Sequence, residues 1–314
     1  MFHASKAGRL APLALAASML LAAPGIAQAS APRPLPPTSA AVERATPDLV
    51  APAPRAAPAT PRRLFPETRL VTVYGAPQLS ATIVGKRTPT GAADEAVRLA
   101  TRYAEVDPRP AQPGIDLIAT VATADPGPSG LYRTRQDPDV IATYLDAARA
   151  AGGRLVLDIQ PGRSKPIAEV RALEPWLLQP DVDVAIDPEW NVGRRGVPGS
   201  TTGTISARQL DKVSAYVARL VRDNGLPQKT LVVHQFREGS VRGRDRVDQR
   251  GEEVAVTLNF DGIGTPAAKI GGYRALSEPG LFNGFSVFVS RDSNAMGFRR
   301  IAALEPPADY VMYQ

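Results

Sequence analysis

The sequence contains no cysteine and very little histidine. None of its 314 residues is Cys, which excludes disulfide bonds, cysteine-based metal sites and a lipid-modified cysteine at the mature N-terminus. The two histidines are His3 and His234. If an N-terminal leader is removed, only His234 remains, which argues against a two-histidine mechanism and a histidine-rich zinc site. We therefore expect no bound metal and no organic cofactor.

A strong excess of one charge is also lacking. The formal net charge is +6, and removing Lys6 and Arg9 with the leader would take away two positive charges and leave +4. An excess this small does not indicate a nucleic-acid partner.

The N-terminal residues have the pattern of an export signal. Lys6 and Arg9 precede an Ala/Leu-rich stretch, which ends in the small-x-small sequence Ala-Gln-Ala just before Ser30. We predict a secretory signal peptide over residues 1–29, so that the protein is secreted or lies in the cell envelope without a stable membrane anchor. Residues 30–66 are rich in alanine and proline and are predicted to be a disordered spacer.

From residue 67 onward, short apolar strands alternate with helices. This alternation predicts a parallel sheet with right-handed crossovers, and eight strands in about 250 residues match a (β/α)8 TIM barrel. No helix is predicted after the eighth strand, and the segment 62–69 is expected to cover that side. An open doubly wound sheet is the alternative, but no G-x-G-x-x-G motif follows the first strand. The strands are predicted at 70–74, 116–122, 154–160, 182–187, 229–236, 254–261, 284–290 and 309–314.

Capping and breaking residues mark several helices. Asp137 before a proline predicts one helix start, and Ser206 with Gln209 predicts a capping box at another. Pro175 is expected to break or restart a helix over 165–178. The last helix is predicted at 293–304.

Two carboxylates end the fourth predicted strand, in the sequence VDVAIDPEW. Strand alternation would place Asp187 and Glu189 on the same side, next to Trp190. Paired carboxylates beside an aromatic ring suit acid–base chemistry on a sugar, although an isolated D-P-E is also typical of an acidic turn.

Other polar residues fall at the predicted C-terminal strand ends, which is where barrel enzymes place their chemistry. We predict Glu189 as the general acid, with Asp187 tuning its pKa or orienting a substrate group. Asp158 or Asp261 would stabilise developing positive charge or act as the base. The same carboxylates could instead bind Ca²⁺ or Mg²⁺, and His234 could be a core residue bonded to a neighbouring strand. The predicted substrate-binding residues are Tyr74, Gln160, Trp190, His234, Gln235, Asn259, Arg291, Tyr313 and Gln314.

Basic residues are frequent in the loops between these strands and the helices that follow. They favour an anionic substrate, because guanidinium groups bind carboxylate and phosphate, although ordinary solvated loops have a similar composition. The Gly-rich loop 191–204 is the candidate for a mobile lid. The basic loop residues are Arg133, Arg135, Arg163, Lys165, Arg194, Arg195, Arg237, Arg242, Arg244 and Arg246.

The D-x-E sequence from Asp187 to Glu189 resembles the muramidases of glycoside hydrolase family 25 and the chitinases of family 18. The resemblance implies a barrel with Glu189 as the acid and Asp187 as its partner. The muramidases also carry an aspartate at the end of the first strand, where this chain has Tyr74 and Gly75. The whole chain, with VYGAP, LDIQPGRS, AIDPEW and VHQF, is similar to an uncharacterised family of secreted actinobacterial proteins, which implies no particular reaction.

These observations lead to two hypotheses. The first is a secreted glycoside hydrolase that acts on a cell-envelope or extracellular polysaccharide through carboxylate acid–base catalysis. The second is a non-catalytic barrel that binds cell-wall or other anionic polymer through its basic loops. A phosphodiesterase is disfavoured, because the glycerophosphodiesterase barrels use paired histidines.

Overall fold

A computed structural model describes residues 63–314. Each of its eight long strands pairs in parallel with the next, and the first strand also pairs with the last, so the sheet closes. Helices surround this sheet, and the predicted (β/α)8 barrel is confirmed. The strands are β1 (Arg69–Gly75), β2 (Ala111–Ala122), β3 (Arg154–Ile159), β4 (Val182–Ile186), β5 (Lys229–Gln235), β6 (Val254–Phe260), β7 (Phe282–Val287) and β8 (Tyr310–Tyr313).

The helices begin where the capping residues predict. Asp137 caps α2, Ser206 and Gln209 form the capping box of α5, and Pro175 lies in the first turn of α4 after a break at Leu173. Among the described residues, no helix has the length and apolar character needed to cross a membrane. The helices are α1 (Pro89–Ala104), α2 (Pro138–Ala150), α3 (Pro166–Ala172), α4 (Glu174–Leu177), α5 (Ala207–Asn224), α6 (Pro266–Leu276) and α7 (Phe298–Ala302).

The last helix is shorter than predicted. It was expected over 293–304, but α7 spans Phe298–Ala302. Asn294 adopts a left-handed backbone conformation with φ of 62°, which a helix cannot include. Gly297 then caps the helix with extended backbone. The residues before Phe298 therefore form a turn at the C-terminal rim of the barrel.

The residues just before β1 close the N-terminal end of the barrel. The backbone amides of Leu64 and Phe65 both donate to Gln228 Oε1 at 3.0 Å, and the Phe65 ring lies 5.4 Å from that of Phe282. Leu64 and Phe65 belong to the apolar cluster inside the barrel. Packing thus begins before the predicted boundary at residue 67. The predicted signal peptide 1–29 and the spacer up to residue 62 lie outside the described residues.

The side of the barrel without a final helix is covered by α1 and α7. The Tyr103 ring of α1 contacts the Phe298 ring of α7 edge-on at 5.1 Å, and its hydroxyl lies 3.0 Å from that of Tyr313 on β8. The expectation that segment 62–69 covers this side is therefore wrong, because Leu64 and Phe65 fill the barrel end instead.

A buried ion pair occupies the N-terminal end of the barrel interior. Arg154 on β3 donates to both carboxylate oxygens of Asp183 on β4, at 2.6 and 2.9 Å, and Asp183 also accepts from the backbone amide of Thr230 at 2.8 Å. Arg154 and Asp183 have no exposed surface. Val156, Ala185 and other apolar side chains form the layer above them.

We expect Asp183→Asn to destabilise the barrel strongly. The substitution leaves the Arg154 guanidinium buried without a counter-charge, which typically costs about 3–5 kcal/mol. Urea unfolding at neutral pH measures the loss. The exposed Asp146 of α2 provides the control, because Asp146→Asn should change the free energy of unfolding by less than about 0.5 kcal/mol. Equal effects of the two substitutions would contradict a stabilising role for the buried pair.

Candidate functional site

The candidate site lies at the C-terminal ends of the barrel strands, around His234 of β5. His234 is 2% exposed and stands between two aspartates. Its Nε2 lies 3.9 Å from Asp158 Oδ1 on β3, and its Nδ1 lies 3.5 Å from Asp261 Oδ2, just after β6. The parallel register of β5 and β6 pairs His234 with Asn259, which brings Asp261 to the same rim.

Tyr74 and Gln160 hold the second oxygen of Asp158. The Tyr74 hydroxyl at the end of β1 donates to Asp158 Oδ2 at 3.2 Å, and Gln160 Nε2 donates to that hydroxyl at 3.4 Å. Gln160 is itself fixed, because its Oε1 accepts from the backbone amide of Ala122 at 3.0 Å. Two side chains and one backbone amide of β2 thus orient this carboxylate.

Asn259 completes the inner wall of the site. Its Nδ2 donates to Ser286 Oγ of β7 at 2.8 Å and lies 3.2 Å from His234 Nδ1. Asn259 and Ser286 are fully buried. Ser286 was not among the predicted residues, since a serine inside an apolar strand gives little signal in the sequence.

The surrounding carboxylates make His234 strongly basic. Burial by itself lowers the pKa of the imidazole. The hydrogen bond to Asp261 and the negative charges of Asp158 and Asp187 act the other way and raise the pKa of this group to about 10. The ring is therefore an imidazolium at neutral pH, able to donate from both nitrogens.

Asp187 and Glu189 reach the site by a different geometry from the one predicted. β4 ends at Ile186 and Pro188 begins a 3-10 turn, so strand alternation does not extend to Glu189. Asp187 caps this turn by accepting from the Glu189 backbone amide at 3.1 Å. The expectation that both acids project from one strand face is wrong, because Pro188 ends the ladder.

The two acids differ in depth. Asp187 is 7% exposed, and burial raises its pKa well above the usual range. The positive charge of His234 opposes this rise, and the charges of the neighbouring carboxylates add to it. Glu189 is half-buried, and burial and then the charge of Asp261 raise its pKa, against the opposing charges of Arg237 and Arg291. The prediction that clustered carboxylates favour protonation here agrees with these shifts.

Two predicted substrate-binding residues face away from the site. Gln235 is 1% exposed and donates from Nε2 to the carbonyl of Leu276 in α6, at 2.6 Å. Tyr313 lies in the layer between barrel and helices, with its hydroxyl against that of Tyr103. Both predictions are wrong for the same reason. Side chains alternate along a strand, and at these two positions they point outward, toward the helices.

The remaining predicted residues lie at the rim. Trp190 is half-buried at the end of the 3-10 turn, and Gln314 is half-buried just after β8. Arg291 is exposed, with its guanidinium 5.7 Å from the centre of the Phe288 ring. Arg237 is likewise exposed above Phe236, at 5.8 Å.

Part of the basic loop set is structural. Arg133 and Arg135 bind the fully buried carboxylate of Glu169, at 3.0 and 2.8 Å, so they are not available to an anionic substrate. Arg163 stacks 3.9 Å from the centre of the Tyr132 ring and donates to the carbonyl of Gly196, which anchors loop 191–204. Motion of that loop as a lid remains a prediction.

Asp116 is a buried acid that the sequence reasoning missed. It has no exposed surface, and it accepts from the Tyr310 hydroxyl, which in turn accepts from Thr72 Oγ1 at 2.8 Å. Burial and the charge of Asp158 raise the pKa of Asp116 to about 8. It lies within β2 and not at its end, so the only signal was a single Asp within the apolar run GIDLIAT.

The arrangement separates an inner and an outer set of acids. Asp158 and Asp187 are the more buried acids, whereas Glu189 and Asp261, which also contacts the His234 ring, lie nearer to solvent. Among residues 63–314, no group of three or more His, Asp or Glu side chains has a geometry suited to a metal ion. The chain's own groups can supply a proton from one carboxyl and a negative charge from another.

Comparisons with known proteins do not assign this chain to a family. The chain matches no protein-family profile and no curated protein. Among solved structures it is similar to a D-allulose 3-epimerase from Methylomonas sp., at 12% sequence identity and a TM-score of 0.36. The match covers 78% of this chain and 84% of that chain. Such a distant similarity does not bear on the reaction.

The basicity of His234 predicts a specific dependence of stability on pH. Its pKa is about 10 in the folded protein, against about 6.5 for an unfolded chain. The stabilisation that comes from its positive charge is therefore complete below pH about 6.5 and is lost as the pH rises through about 10. The unfolding free energies of wild type and His234→Gln, measured in urea, should differ most at low pH and converge toward pH about 10.

A direct measurement provides the control. In a protein that begins at Ser30, His234 is the only histidine. Its ¹⁵N-imidazole NMR signals should remain those of the doubly protonated ring at pH 8. A neutral ring at that pH would contradict the electrostatic account of the site.

Proposed function

We propose that the protein is an exported glycoside hydrolase that acts on a cell-envelope or extracellular polysaccharide. The observation that carries the proposal is the pair of accessible carboxyl groups at the barrel rim, Glu189 and Asp261. Burial and then the negative charge of Asp261 raise the pKa of Glu189, and a pair of carboxyl groups with different environments is how an acid and a base are separated. Export is proposed from the N-terminal sequence.

In this proposal Glu189 is the proton donor. Its raised pKa keeps a larger share of the carboxyl protonated near neutral pH than an ordinary glutamate would retain. Asp187 positions it, because the Asp187 side chain accepts from the Glu189 backbone amide and fixes the 3-10 turn.

Asp261 is the carboxylate partner. It is paired with the imidazolium of His234, and its side chain is 13% exposed. That exposure allows it to face a substrate, where it would stabilise a developing positive charge or activate water. Asp158, which is fully buried, acts through His234 and Tyr74, not on the reacting bond.

We expect Glu189→Gln to remove turnover while preserving the fold. The amide keeps the shape of the side chain but cannot donate the acid proton, and loss of a general acid typically costs about 10²–10⁴-fold in rate. The protein from Ser30 onward is incubated with purified actinobacterial cell walls, and soluble fragments and new reducing ends are counted by mass spectrometry.

The matched control is Glu238→Gln. Glu238 lies in the loop after β5 at the same rim, with its side chain 81% exposed. This variant should release fragments at the wild-type rate. Full activity of Glu189→Gln would show that the acid is assigned wrongly, and no release by the wild type would favour the binding function described next.

A second candidate function is non-catalytic binding of an anionic polymer. Arg237 and Arg291 are exposed on either side of the β6 loop, and within the described residues neither has a carboxylate at salt-bridge distance. The positive charges of both arginines lower the pKa of Glu189, against the larger effect of burial. Free guanidinium groups next to the site would bind carboxylate or phosphate groups of a polymer.

We expect Arg237→Gln and Arg291→Gln each to weaken sedimentation with cell walls by roughly tenfold, because each removes a charge-assisted hydrogen bond. Wild-type binding should also fall as salt rises. Arg219→Gln is the control, since Arg219 is exposed above the Tyr216 ring on the outer side of α5. Retention in high salt, or an equal loss in the control, would rule out this electrostatic binding.

A further inference from the structure

Two buried polar atoms face each other in the deepest part of the site. His234 Nε2 and Asp158 Oδ1 are 3.9 Å apart, which is longer than a hydrogen bond. Within residues 63–314 neither atom has a hydrogen-bond partner, although His234 is 2% exposed and Asp158 is fully buried. Buried polar atoms are normally paired, so this donor and this acceptor, 3.9 Å apart, each have hydrogen-bonding capacity that the protein leaves unused.

The chemistry of the two atoms selects the kind of group that fits between them. The imidazolium of His234 donates and repels a cation, whereas the carboxylate of Asp158 accepts and repels an anion. A hydroxyl group both accepts and donates without carrying charge. One oxygen about 2.8 Å from each atom satisfies both hydrogen bonds across the 3.9 Å separation.

Both atoms are held in position before any ligand arrives. Tyr74 donates to the other oxygen of Asp158, and Asp261 binds the other nitrogen of His234. The rings of Tyr74 and His234 lie 6.0 Å apart, so the phenol forms a third side of the same space. Neither side chain needs to move to meet an oxygen atom.

We infer that the space between His234 Nε2 and Asp158 Oδ1 binds one hydroxyl oxygen of a polyol or sugar ligand. Water, which has the same donor and acceptor character, takes this position in the free protein. The inference rests on the proposed function, because it assigns the innermost hydroxyl contact of a carbohydrate substrate to these two residues.

The test is crystallographic and does not depend on turnover. Crystals of the protein from Ser30 onward are grown without polyols, and half of them are soaked in concentrated glycerol. We expect a water oxygen within hydrogen-bond distance of both atoms in the first set and a glycerol hydroxyl there in the second. A direct Nε2–Oδ1 hydrogen bond with no oxygen between would overturn the inference, as would a water that glycerol never displaces.

Two variants separate a built site from an adventitious additive. Asp158→Asn replaces the carboxylate acceptor with an amide of the same shape and should lose the glycerol hydroxyl. Asp116→Asn should retain it, because Asp116 is equally buried but is bonded to Tyr310. Equal glycerol density in both variants would mean an adventitious additive only. If Asp158→Asn does not fold, the wild-type crystals still test the inference, because they show whether an oxygen lies between the two atoms and whether glycerol displaces it.

The inference and the proposed function can fail separately. A displaceable oxygen in wild-type and Glu189→Gln crystals, together with no fragment release by the wild type, would leave the hydroxyl site standing and remove the hydrolase. Fragment release by the wild type, without an oxygen at this position, would support the hydrolase and overturn the hydroxyl site.

Discussion

The candidate site depends on one buried positive charge. The imidazolium of His234 lies among Asp158, Asp187 and Asp261. Although burial opposes protonation of the ring, the negative charges of these carboxylates stabilise the protonated form and raise its pKa to about 10. Without this positive charge, several acids at the end of one barrel would repel one another in a region from which water is largely excluded. Burial raises the pKa of the Asp158 carboxyl, and the positive charge of His234 opposes that rise.

The closed barrel makes this arrangement possible. Parallel pairing brings the ends of β1, β3, β5 and β6 to one rim, so that residues distant in sequence, such as Tyr74 and His234, lie side by side. Parallel pairing also brings Arg154 and Asp183 together at the opposite end, where this ion pair is buried above the apolar side chains of Leu64 and Phe65. An apolar middle layer keeps the two charged regions apart.

The acids of the site fall into two sets that differ in solvent exposure. Asp158 and Asp187 are buried and act on the other groups through their electrostatic interactions, whereas Glu189 and Asp261 are partly exposed to solvent. Arg237 and Arg291 lie at the same rim, and among residues 63–314 neither has a carboxylate at salt-bridge distance, so their positive charges lower the pKa of Glu189 without being neutralised by an ion pair.

Local sequence patterns were enough to predict the alternation of strands and helices, the caps at Asp137 and Ser206, and the polar residues at strand ends. These features depend on local periodicity and on hydrogen bonds between near neighbours. The tertiary structure alone decided which of two adjacent residues faces inward, as with His234 and Gln235, because that parity is set by strand register and closure. The raised pKa values of Asp116 and His234 could not be predicted either, since both result from contacts between strands far apart in the chain.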